Sequence, residues 1–132
     1  MRLMIAVLLM ASAAHAETPI TAAEFEAFAS GKTLVWSEGG EAYGQEAYGQ
    51  EAYLPGRALQ WSEDGSSCLS GSYAQGDAGE ICFTYDDGTD PDCWLLYLKG
   101  DALHGTLQSE AEPRKDYVIT VGHAPLACAA TP

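Results

Sequence analysis

Two short apolar runs, Ile81–Tyr85 and Cys93–Leu98, each carry a cysteine and are separated by the acidic stretch Asp86–Asp92. Laid antiparallel with Cys82 opposite Cys93, they pair Ile81 with Trp94. Side chains alternate along a strand, so Ile81, Phe83 and Tyr85 share one face with Trp94, Leu96 and Leu98. Both runs then offer an apolar face to the same side, which suits a hairpin lining a core. Asp87-Gly88 would suit a two-residue turn, but that turn places Pro91 where the ladder needs an N–H. A wider loop over Asp86–Asp92 is expected, with regular pairing beginning near the cysteines.

Further short segments follow the same period. Lys32–Ser37, Ala58–Ser62, Ser67–Tyr73, Ala102–Leu107 and Tyr117–Val121 read as strands, divided by Gly, Pro, Asp and Ser turns. With a strand near Glu51–Leu54 they make about eight, enough for an up-and-down antiparallel barrel that closes without exposed edges. One helix is expected at Thr21–Ser30. Thr21 and Glu24 form a capping box, Ile20 can staple onto Phe25, and Gly31 follows where a left-handed residue ends a helix.

The sequence EAYGQ occurs at Glu41–Gln45 and again at Glu46–Gln50, followed by EAY at Glu51–Tyr53. A five-residue step flips faces on a strand and turns about 140° round a helix, so neither would hold Tyr43, Tyr48 and Tyr53 on one side. The repeat at 41–53 is therefore read as a solvated loop inside the domain, and a tyrosine-rich contact loop is the alternative.

Residues 1–16 read as a signal peptide: Arg2, an apolar run at Leu3–Ala11, and Ala14-His15-Ala16 as the cleavage pattern. That run is shorter than the ~20 residues of a membrane span. A single domain at 17–132 is expected, periplasmic or extracellular and monomeric. Without Arg2 it carries 5 basic against 19 acidic side chains, a formal charge of −14. Such a charge argues against nucleic acid or an anionic membrane surface and suits a basic partner. Export makes disulfides the expected state of the four cysteines. Cys82–Cys93 within the hairpin and Cys68–Cys128 at the tail are the preferred pairs of three possible connectivities.

Candidate site residues fall into two groups. Trp36, Trp61 and Trp94 each lie on an expected strand and serve either the core or a pocket for a small apolar ligand at a barrel mouth. Asp86, Asp87, Asp90 and Asp92 crowd one turn and could meet a cationic protein. They lack the order of an EF-hand calcium loop. His104 is expected to face solvent or a shallow site. No G-x-S-x-G, H-E-x-x-H or nucleotide-binding glycine loop is present, so no catalytic residue, metal or cofactor is assigned.

In order along the chain stand Gly31-Lys32-Thr33-Leu34, Tyr53-Leu54-Pro55-Gly56-Arg57 with Trp61, Cys68 with Gly71 and Tyr73, Ile81-Cys82-Phe83, and Cys93-Trp94. This order resembles small exported, lipocalin-like barrel proteins of Gram-negative bacteria, over most of Gly31–Leu107. The resemblance implies the barrel architecture and no functional residues. The expected function is binding without catalysis. An inhibitor-like protein that meets a basic partner through acidic loops comes first, a carrier of a small apolar ligand second, and a hydrolase with an unrecognised site third.

Overall fold

The computed structural model describes residues 17–38 and 47–128. The leader expected at 1–16 and the first EAYGQ unit lie outside the described residues. The described residues form a short helix and eight antiparallel strands that close into a barrel in sequence order. The strands are β1 (Thr33–Glu38), β2 (Ala47–Tyr53), β3 (Ala58–Ser62), β4 (Leu69–Gln75), β5 (Ile81–Tyr85), β6 (Asp92–Lys99), β7 (Ala102–Leu107) and β8 (Tyr117–Val121). β8 pairs with β1, Leu34 opposite Val121, so no edge is left open. Among the described residues no helix is long and apolar enough to cross a membrane.

The helix α1 (Ala22–Ala29) closes one end. Its capping box forms as the sequence dictates, with the Thr21 hydroxyl accepting from the Glu24 amide while the Glu24 carboxylate accepts from the Thr21 amide. Two tethers hold it to the barrel: Ile20 N–H donates to the Leu96 carbonyl, and Ala22 N–H to the Gln75 side chain. Phe25 is fully buried and stands edge-on to Tyr53, Tyr73 and Phe83 at 5.2, 5.2 and 5.8 Å. Eight residues cannot sustain a helix alone. Here Phe25 plugs the barrel floor and supplies the missing stability.

The central hairpin has the register expected from its cysteines: Ile81 opposite Trp94, Cys82 opposite Cys93 and Phe83 opposite Asp92. Ile81, Phe83, Trp94 and Leu96 are buried, whereas Leu98, at the strand end, is 53% exposed. Disulfides join Cys82 to Cys93 and Cys68 to Cys128. The second bridge holds a strap. After β8, the Gly122 amide donates to the Thr33 carbonyl at the α1 end of β1. Cys68 precedes β4 at the opposite end, so residues 122–128 run the height of the barrel.

The repeat is not a loop throughout. From Ala47 to Tyr53 it is strand β2, paired with β1 and β3, and Glu51 and Tyr53 are fully buried. A bulge breaks the regular alternation within this strand. Trp36 faces Gly49 and Ser37 faces Ala47, so Tyr48 is an extra residue in the ladder. That extra residue shifts the phase and swings Tyr48 over the open end, while Tyr53 points inward near the floor. β4 also begins later than expected, at Leu69, because Ser66 and Ser67 are tied into a turn by Asp64.

Candidate functional site

Among the described residues, no element closes the end opposite α1. Connections 63–68, 86–91 and 108–116 surround it, and the barrel interior there forms a cavity of about 240 Å³. Its wall is aromatic. Trp36 and Trp94 lie with ring centroids 5.0 Å apart, and Trp94 stands perpendicular to Tyr117 at 4.9 Å. Tyr48 completes the rim, 5.4 Å from Trp61 and 6.1 Å from Tyr117. Tyr85 lines the same space. The alternation of the strands aims Trp36, Trp61, Tyr85, Trp94 and Tyr117 inward, the bulge adds Tyr48, and Gly49 leaves room for the Trp61 indole to lie across β2.

All three tryptophans expected as ligand candidates therefore converge on one cavity. Trp36 and Trp94 are also buried members of the core. The acidic turn divides. Asp87 and Asp92 line the cavity with Glu63, whereas Asp86 and Asp90 are exposed and do not line it. Thr89 donates to Asp87 from its hydroxyl (2.7 Å) and its amide (3.1 Å), which lowers the Asp87 pKa. Asp92 is raised, chiefly by burial and then by the charge of Asp87. No Lys, Arg or His is among the lining residues. His104 lies 3.4 Å from Asp116 and takes no part in the cavity.

Beneath the cavity is a polar group that sequence reasoning did not single out. Glu51 projects into the barrel from β2 and is fully buried. Its Oε1 accepts from the Tyr53 hydroxyl (2.5 Å) and its Oε2 from the Tyr85 hydroxyl (2.7 Å). The Tyr53 oxygen in turn accepts from Trp36 Nε1 at 3.3 Å. Burial outweighs the two hydroxyl donors and raises the Glu51 carboxyl to about 7, while the same burial and the adjacent carboxylate push the Tyr53 and Tyr85 phenols up. The available signal was the spacing: Glu51 and Tyr53, two residues apart before Pro55-Gly56, must share a face if they lie on a strand.

Among the described residues no group of three or more His, Cys, Asp or Glu side chains is placed to hold a metal ion. No protein-family model, curated protein or solved structure matches the chain. The chemistry available at the mouth is that of aromatic faces and carboxylates: contact with apolar groups, cation–π attraction, and ion pairing.

Proposed function

We propose that this is an exported binding protein that recognises a basic partner by admitting a cationic side chain into the barrel mouth. One observation carries the reading: the cavity presents aromatic rings and three carboxylates, and no basic residue is among its lining residues. Aromatic faces attract cations through the ring quadrupole, by ~0.5–1 kcal/mol when exposed and ~2 or more when desolvated. Carboxylates at the rim add Coulomb attraction and disfavour anions.

Size supports a side chain over a larger molecule. The cavity's 240 Å³ falls below the ~300–1,000 Å³ typical of pockets for drug-sized ligands. The whole chain carries a formal charge of −13, which steers a cationic partner toward it and repels anionic ones. Two disulfides suit an oxidising compartment, where the partner would be met.

The test is a titration of the purified protein with short peptides that differ at one position, arginine or lysine against neutral citrulline or norleucine, followed by tryptophan fluorescence. Selective binding of the charged peptides, weakening as salt rises, is the expected result. Equal binding of charged and neutral peptides would favour an apolar-ligand carrier instead, and absence of binding by all of them would overturn the reading.

A further inference from the structure

We propose that Glu51 is the buried counter-charge of the mouth cavity, so that an organic cation binds there with loss of the Glu51 proton. This rests on the cation-binding reading of the cavity and adds its regulation.

Geometry supplies the link. Both carboxylate oxygens are held by groups built into the cavity's structure. Tyr85 donates to one oxygen and itself lines the cavity. Tyr53 donates to the other and accepts from the indole of Trp36, a second lining residue. Glu51 is thus one side chain away from whatever occupies the mouth, with no water-exposed surface of its own. Across a low-dielectric interior a charge at that distance is only weakly screened.

Among the described residues that charge has no partner cation. From its own strand Glu51 faces Tyr53, from β1 Trp36, from β5 Tyr85, and from β6 the negative Asp92. Tyr73 on β4 also feels its charge, and Trp61 on β3 stands opposite in register. None of these carries positive charge. The Arg57–Glu26 pair lies towards α1, at the closed end. Two hydroxyl donors favour the anion and burial opposes it, which leaves the carboxyl near neutrality. A cation entering the mouth adds the missing attraction and favours the ionised form. By linkage, ionising Glu51 must raise affinity for the cation by the same factor.

The experiment uses benzyltrimethylammonium, whose charge is independent of pH, and benzyl alcohol as its neutral counterpart, titrated into the disulfide-bonded protein. If only the ionised form binds and the carboxyl titrates at about 7, affinity should rise about 30-fold between about pH 5.5 and about pH 8.5. Benzyl alcohol should show no such rise. Glu51→Gln should abolish the step, whereas Asp92→Asn, which removes a lining carboxylate and one of the charges that raise Glu51, should weaken binding and move the step to lower pH without removing it. Calorimetry of the wild-type protein in buffers of different ionisation enthalpy should show proton release on binding near pH 7, a readout that holds even where Glu51→Gln fails to fold. A pH-independent affinity, a step retained in Glu51→Gln, or binding without proton release would overturn the inference and leave the cation reading standing. Absence of binding at every pH would overturn both.

Discussion

Gly49 lies against the indole of Trp61: a Cβ built at Gly49 would fall 2.2 Å from Trp61 Cζ2. No relaxed structure tolerates that approach, so the missing side chain on β2 is what allows a tryptophan from β3 to form one wall of the mouth. Gly49→Ala should therefore displace the indole. Overpacking of this kind costs about 1–3 kcal/mol. A lower melting temperature together with an altered tryptophan emission is expected, and a variant with wild-type emission would show that the ring does not need the space.

Burial of Glu51 should appear in the pH dependence of stability. Its folded pKa, about 7, lies above the ordinary 4.5, so the folded state holds the proton more tightly than the unfolded chain. Both states are protonated at low pH and no penalty arises. As pH rises from about 4.5 to about 7 the unfolded chain gains by ionising first, and stability falls by about 3 kcal/mol, an order-of-magnitude figure. Denaturant unfolding across that window should show the fall in the wild type and a flatter profile in Glu51→Gln.

Asp64 has the opposite sign. Its carboxylate accepts from the Ser66 and Ser67 amides (2.8 and 2.9 Å) and from the Ser62 hydroxyl (3.2 Å). These bonds, the backbone ones foremost, hold its pKa at about 2. The stability they contribute is present above the ordinary value of 3.8 and is lost as pH falls through the folded value. Carboxyl chemical shifts measured by NMR should place the Asp64 midpoint well below the ordinary 3.8.

The two disulfides should differ in worth. Cys82–Cys93 closes a separation of 11 residues and Cys68–Cys128 one of 60. On the chain-entropy model the first contributes about 3 kcal/mol and the second about 4. Cys68→Ser with Cys128→Ser should thus destabilise the protein more than the corresponding hairpin pair. Chemical denaturation of the two double variants checks the order.

Excision of Gly44–Ala52 is expected to unfold the protein, because it removes most of β2 and leaves β1 and β3 with unpaired backbone. Loss of the far-ultraviolet β signal is the outcome to measure. A solvated loop of the same length would have been removable at about 1 kcal/mol.

Much of this barrel was legible in the residues, for identifiable reasons. Ala58–Ser62, Ala102–Leu107 and Tyr117–Val121 alternate cleanly between turn residues, and their bounds emerge unchanged. The paired cysteines fixed the register of the central hairpin. Of β2 only the end near Glu51–Leu54 was legible, because its interior positions are Gly49, Glu51 and Tyr53, a set that reads as loop to any rule based on hydrophobicity. The polar cluster under the mouth was missed. Local pattern fails where a strand departs from an apolar interior, and that is also where the candidate site lies. Sorting Asp87 and Asp92 from Asp86 and Asp90 needed the course of the loop, which spacing does not encode.

The strap from Gly122 to Cys128 gives the protein a polarity that matters for handling it. Glu17, paired with Lys99, lies at the end sealed by α1, whereas the bridge to Cys68 brings the other end of the described chain to the level of the mouth. A sensor surface or fluorophore attached ahead of Glu17 would present the opening to solution. The same attachment beyond Cys128 would crowd the entrance and could be mistaken for weak affinity.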